Sequence, residues 1–71
     1  MPSVASAVHA AGDVQQDGRR YVTETFVLDD GTVRSSLYLA EVGTDIDAHL
    51  TAMTAAVNDE LAAEAAAGTP V

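Results

Sequence analysis

The feature that most constrains the fold is a turn sequence, Asp29-Asp30-Gly31, between two segments rich in β-branched and aromatic residues. Residues 19–28 and 32–40 both favour β-strands, because such side chains fit a pleated, half-buried surface. Asp-Gly is among the strongest short-range signals for a hairpin turn. The sequence therefore predicts an antiparallel hairpin over residues 19–40.

Two registers of this hairpin fit the turn. A two-residue turn at Asp30-Gly31 sets Leu28 opposite Val33 and collects the large apolar side chains on one face. That face then holds Val22, Phe26, Leu28, Val33, Leu37 and Leu39. A three-residue loop with a glycine bulge also suits Asp-Asp-Gly, but it shifts the pairing by one and splits this set. Segregation of the apolar residues favours the two-residue turn, with Glu24 as the misfit on the apolar face.

In that register the opposite face carries Tyr21, Val27 and Tyr38 among Thr23, Thr25, Arg34 and Ser36. One helix cannot cover both faces of a sheet, so we expect the second face to dock against another chain. Tyr21, Val27 and Tyr38 are the predicted interface residues. The same register places Arg20 opposite Glu41 as an exposed ion pair.

Residues 1–18 are small and polar. A second Asp-Gly, Asp17-Gly18, permits an earlier hairpin with residues 7–16 as an edge strand, in which Val8 lies opposite Val27. The alanine, glycine and aspartate residues of this segment disfavour a strand. An extended arm that pairs only with a partner is therefore the second interpretation.

Beyond the hairpin the hydrophobic period changes, and residues 45–67 are predicted to form a helix. Thr44 is the predicted N-cap, with Asp47 three residues on as a capping-box variant. Gly68 followed by Pro70 is the predicted stop. The apolar stripe of the helix consists of Ile46, Leu50, Met53, Val57 and Leu61.

These elements predict the α+β class: an antiparallel β-hairpin or three-stranded meander followed by one C-terminal amphipathic α-helix. The chain is expected to form a single small domain over residues 1–71. Its parts are an arm or edge strand (1–18), the hairpin (19–40), the helix (45–67) and a tail (68–71). The predicted core consists of Phe26, Leu37, Leu39, Leu50, Met53 and Val57.

The composition restricts the partners. A chain of 71 residues with no Cys has no disulfide framework and no thiolate metal site. Chains of this size usually need a staple or a partner surface. A net charge of -8 argues against nucleic acid and against an anionic membrane as partners. Neither a secretory signal nor a membrane span is recognised, so we expect synthesis in the cytosol.

Candidate catalytic and metal-binding groups are few. His49 is predicted to be an exposed helix residue, and His9 has no assigned role. A metal site needs a third ligand at the proper geometry, and acid–base catalysis needs carboxyl groups around a pocket. The adjacent acids of this chain lie in turns and helix caps, where their side chains face solvent and need no catalytic role to account for them. We therefore expect no enzymatic activity, no catalytic residues, no metal, no cofactor and no small-molecule substrate.

Four short motifs lie along most of the chain: Gln16-Asp-Gly-Arg-Arg-Tyr-Val-Thr-Glu24, the turn glycine Gly31, Tyr38-Leu-Ala-Glu41, and Gly43-Thr-Asp45 before an Ala-rich helix. In these motifs, residues 16–67 resemble small proteins encoded in the structural modules of tailed bacteriophages. The resemblance rests on turn and cap residues. It implies a non-enzymatic virion or virion-associated protein, and it supplies no binding residues to carry over.

We therefore expect a small structural protein of a phage virion, a head, neck or tail component made in the host cytoplasm. It would act through repeated contacts with other virion proteins and as a homo-oligomer. The alternative is a small acidic adaptor or regulatory protein that binds one host or viral protein. A repeated, symmetric assembly would distinguish the first function from the second.

Overall fold

The computed structural model describes residues 2–67 and contains a three-stranded antiparallel sheet followed by one helix. Strand β1 spans Val4–Ala11, β2 spans Arg20–Leu28 and β3 spans Val33–Ala40, and helix α1 spans Ile46–Ala67. The order in the sheet is β1-β2-β3, so β2 is paired on both sides. The predicted α+β class is confirmed, in its meander form. In the part of the chain described, no helix combines the length and hydrophobicity needed to cross a membrane.

The turn between β2 and β3 is a three-residue loop with a glycine bulge, and the predicted two-residue turn is wrong. The Leu28 amide donates to the Thr32 carbonyl at 2.8 Å, and the Gly31 amide donates to the Leu28 carbonyl at 3.0 Å. The Asp30 carboxylate accepts a bond from the Thr32 amide at 2.9 Å. Gly31 has a φ of 87°, which glycine adopts without the strain of a Cβ. This local chemistry prevails over the segregation of apolar residues.

The one-residue shift exchanges the two faces of β3. Phe26 lies opposite Arg34, so Arg34 and Tyr38 face α1. Leu37 and Leu39 lie on the other face, and Leu37 is 64% exposed. The predictions that Leu37 and Leu39 belong to the core, and that Tyr38 and Arg34 lie on the face away from the helix, are therefore wrong.

Strand β1 is an edge strand, one of the two interpretations of the N-terminal segment. Val8 pairs with Thr25 rather than with Val27. This shift of two residues leaves each side chain on its predicted face. The Val4 amide donates to Oδ1 of Asn58 on α1 at 2.9 Å. That bond to the helix helps to hold a segment whose own strand propensity is poor.

Helix α1 is capped by Asp45 rather than by Thr44. The Asp45 carboxylate accepts a hydrogen bond from the Ala48 amide at 3.0 Å, which is the bond from N-cap to N3. An aspartate at this position also complements the helix dipole. The predicted stop at residues 68–70 lies outside the described residues.

The core lies between α1 and the adjoining face of the sheet. Its main cluster consists of Phe26, Leu28, Val57 and Leu61, with Val4, Ala7, Leu50 and Met53 packed against it. The predicted helix stripe is therefore confirmed for its positions from Leu50 to Leu61. Within the predicted core, Phe26 and Val57 are buried and Leu50 and Met53 are partly buried.

The start of β2 carries a small charge network. The predicted pairing of Arg20 with Glu41 is wrong, because Arg20 lies opposite Ala40. Arg19 lies 3.7 Å from the Glu41 carboxylate and 2.6 Å from that of Asp17. The hydrogen bond from Arg19 lowers the pKa of Asp17.

Candidate functional site

A buried polar cluster joins α1 to the sheet. Glu24, near the middle of β2, is 0% exposed, and its Oε2 lies 2.8 Å from Nδ1 of His49 on α1. The His49 ring stacks on Tyr38 of β3, with the ring centroids 3.8 Å apart and the planes 20° from parallel. Sequence reasoning left Glu24 as a misfit and assigned His49 to solvent. The observed register places both of them, with Tyr38, in one cluster beneath the helix.

Two polar atoms of this cluster are buried and have no hydrogen-bond partner among the described residues: Oε1 of Glu24 and the hydroxyl of Tyr38. Burial raises the pKa of Tyr38 above its ordinary value near 10, and the charge of Glu24 raises it further, against the opposing effect of Arg20. An unpaired buried polar group costs about 1–3 kcal/mol. Burying these two atoms therefore lowers the stability of the domain.

A second histidine connects β1 to the first turn of α1. Nε2 of His9 lies 2.7 Å from Oδ1 of Asp47. His9 is also the β1 partner of Glu24, so the two side chains lie in one row across the sheet. Sequence reasoning assigned His9 no role, because that row becomes visible only once the register is known. Two histidine–carboxylate contacts from a single row thus fix the N-terminal half of α1.

The bond from His49 to Glu24 is also the bond that orients the histidine in hydrolase triads. A triad needs a nucleophile on the other ring nitrogen, and Ser36 is the β3 partner of Glu24. Within residues 2–67, no hydrogen bond joins Ser36 to His49. No group of three His, Cys, Asp or Glu residues among those described is arranged to hold a metal ion. The contact between Glu24 of β2 and His49 of α1 can act as a clamp between sheet and helix.

Arg34 lines two surface cavities of about 280 and about 190 Å³. Its guanidinium lies 2.8 Å from the Glu64 carboxylate and 3.7 Å from that of Glu60, so α1 neutralises the arginine. Small-molecule sites usually have roughly 300–1,000 Å³. The larger cavity is close to the lower end of that range, and the smaller one lies below it.

We call the side of the sheet away from α1 the open face. It carries Ser6, Val8, Ala10, Tyr21, Thr23, Thr25, Val27, Val33, Ser35, Leu37 and Leu39. The exposed fractions of its large side chains include Leu37 64%, Val8 61%, Val33 58% and Tyr21 49%. No side chain of the open face is charged, although the chain carries a net charge of -8. The charged side chains of the strands lie on the α1 side instead.

Two of the predicted interface residues, Tyr21 and Val27, lie on the open face, whereas Tyr38 lies under α1 against His49. Leu37 and Val33 are the residues that sequence reasoning missed, because it placed both on the apolar face of the hairpin and Leu37 in the core. The signal that could have found them is the compatibility of Asp-Asp-Gly with a three-residue loop.

No family model, curated protein or solved structure matches the chain.

Replacing Tyr38 with phenylalanine is expected to stabilise the domain by about 1 kcal/mol, because it removes an unpaired buried hydroxyl and keeps the ring on His49. The variant should also change the alkaline limit of stability. The chain has no Lys and no Cys, which are the other side chains that ordinarily lose a proton at alkaline pH. The folded protein holds the Tyr38 proton more tightly than the unfolded chain does. Stability should therefore persist below pH 10 and fall as the pH rises through the Tyr38 pKa.

Thermal melts at roughly pH 9 to 11 test this expectation. Tyr38→Phe should lose most of the decline above pH 10, whereas Tyr21→Phe, the matched control on the open face, should keep it. An equal alkaline decline in both variants would show that Tyr38 is not the group responsible.

Proposed function

We propose that the chain is a small non-enzymatic structural protein of a phage virion, a head, neck or tail component. It acts through repeated contacts with other virion proteins and with copies of itself. The open face is the observation that carries this proposal. The phage-like motifs of residues 16–67 support the assignment to a virion.

The open face has the properties of a contact surface. Leu37, Val33 and Val8 remain more than half exposed on it, and threonine and serine separate them. Exposed apolar side chains grouped on one face, with polar side chains around them, are typical of interaction sites on soluble domains. Because the face is uncharged, it can be buried without separating an ion from water.

The remaining polar features favour a structural role. The Glu24–His49 pair ties α1 to the sheet and has no hydrogen-bonded nucleophile among the described residues. The open face carries neither lysine nor arginine, the residues that contact phosphates in nucleic acids. These observations support a protein partner over a substrate, a cofactor, a nucleic acid or a membrane.

Mass spectrometry of phage particles purified from cells that carry the gene for this chain tests the proposal. The chain should be present at a fixed, multiple copy number per particle and should resist a high-salt wash. Its absence from particles, with recovery of the protein in the soluble lysate, would overturn the virion assignment.

A second candidate function is a small acidic adaptor or regulatory protein that binds one host or viral protein. The exposed acids favour it: the Asp47 side chain is 86% exposed and that of Glu60 is 67% exposed. Such a surface would bind a basic partner, and it lies apart from the open face.

Salt should separate the two functions. Each chain carries eleven acids and only three arginines, so copies of the chain repel one another in any assembly. Salt screens this repulsion. Self-association and thermal stability should therefore rise between roughly 10 and 500 mM salt at pH 7, as the Debye length falls from about 30 Å to a few ångströms. Capture of a basic partner by the acids should weaken over the same range. Sedimentation and melting experiments test this expectation. A degree of self-association and a melting temperature that both fall steadily as salt is added would contradict the repulsion argument.

A further inference from the structure

The open face presents a single uncharged surface on an otherwise acidic molecule. All the residues of β1, β2 and β3 that point away from α1 are aliphatic, aromatic, hydroxyl-bearing or alanine. The acids lie instead in the loops, on α1 and, in the case of Glu24, beneath the helix. A partner that meets this face encounters no charge within the strands.

We infer that the occupant of the open face is the open face of a second copy, packed sheet against sheet. This inference rests on the proposed function as a subunit that acts by repeated contacts. Two chains of net charge -8 repel, and contact is least unfavourable where neither brings a charge to the interface. The open face meets that condition, and a twofold contact uses the same patch on both copies.

The geometry of the sheet fits such a pair. Sheets pack face to face about 10 Å apart, with their strands within about 30° of each other. Rows on the open face combine large and small side chains: Thr23 lies between Ala10 and Leu37, and Thr25 lies between Val8 and Ser35. Unequal side-chain heights of this kind allow two surfaces to interlock.

The size of the face sets the strength of the contact. Three strands of eight or nine residues project an area of roughly 400 Å². Stable interfaces usually bury about 800 Å² of accessible surface on each partner. The pair is therefore expected to be reversible, with a dimer fraction that depends on concentration.

Sedimentation equilibrium over a dilution series at physiological salt tests the inference. Leu37→Asp on β3 and Thr23→Asp on the doubly paired strand β2 each place facing like charges in the dimer. Each should raise the dissociation constant at least tenfold, since like-charge contacts at interfaces cost several kcal/mol. Val14→Asp is the matched control, because Val14 is 63% exposed, lies outside the strands and receives the same charge. It should change the constant by no more than about threefold, well under the 1.4 kcal/mol that a tenfold change represents.

Two variants guard against a folding defect, and far-ultraviolet circular dichroism at low concentration checks each one. A wild-type chain that stays monomeric at the highest soluble concentration would overturn the inference. The inference would also be overturned if Leu37→Asp and Thr23→Asp changed the dissociation constant no more than Val14→Asp does. A contact through the edge of β1 or β3 would then be responsible for the dimer. The proposed function is judged separately: a chain found in particles but monomeric in solution keeps its virion role and lacks this contact.

Discussion

Phe26→Ala is expected to unfold the domain. Phe26 is 1% exposed and belongs to the cluster in which Val57 and Leu61 of α1 meet β2. Removing a buried phenylalanine costs about 3–5 kcal/mol. Stability per residue in native proteins implies only about 4–10 kcal/mol for a chain of this length. Denaturant melts followed by circular dichroism should therefore show no cooperative transition, or one at a much lower midpoint.

Leu37→Ala is the informative control. Both substitutions remove a large apolar side chain from the hairpin, but Leu37 is 64% exposed on the open face. At concentrations where the protein is monomeric, Leu37→Ala should change stability by less than about 0.5 kcal/mol, as is usual at exposed sites. Equal destabilisation by both substitutions would mean that β3 turns its leucines inward.

The second large effect concerns the Glu24–His49 pair, whose two members should respond in opposite ways. His49→Ala leaves the fully buried Glu24 without its hydrogen bond and removes the ring that stacks on Tyr38. Stranding a buried acceptor should lower stability by about 1–3 kcal/mol. Glu24→Met removes the acid together with its unpaired Oε1, and His49 still reaches water because its side chain is 34% exposed. Replacement of buried charges by apolar groups of similar size is often neutral or stabilising.

Urea melts of the two variants test this asymmetry. The double variant with both changes should recover most of the stability that His49→Ala loses, since no stranded carboxylate remains. A Glu24→Met variant less stable than His49→Ala would mean that the pair contributes net stability to the domain, and the clamp would then be a favourable interaction in its own right.

Much of the fold follows from local sequence signals. Alternation in the two β-rich segments and the 4, 3, 4, 4 spacing from Ile46 to Leu61 each point to one kind of element. The helix face that packs on the sheet was predictable for the same reason, because one apolar stripe can be buried in only one way.

The register of β3 could not be obtained by the same reasoning. Segregating every large apolar residue onto one face assumes that the domain buries all of these side chains within itself. This chain instead leaves Leu37 and Val33 exposed to solvent. The conformation of the turn is set by local hydrogen bonds around Asp30 and Gly31. Glu24 was the warning, since a lone acid on an apolar face indicates either a wrong register or a buried partner.

The polar cluster was even harder to predict from the sequence. Its members come from β2, β3 and α1, and they meet only after the register and the rotation of the helix are both known. A histidine four residues after a capping aspartate is ordinarily a surface residue. Nothing in the sequence near His49 identifies Glu24, which lies 25 positions away, as its partner.

The sheet has one open face, so a second copy bound there would leave neither copy with an open face for further contacts. A twofold pair closes on itself and offers no further uncharged sheet, so it cannot propagate into a ring or a filament through that contact. Copies would then enter any larger assembly in pairs. An extended lattice would need other contacts, made by the acidic exterior or by the outer edges of β1 and β3.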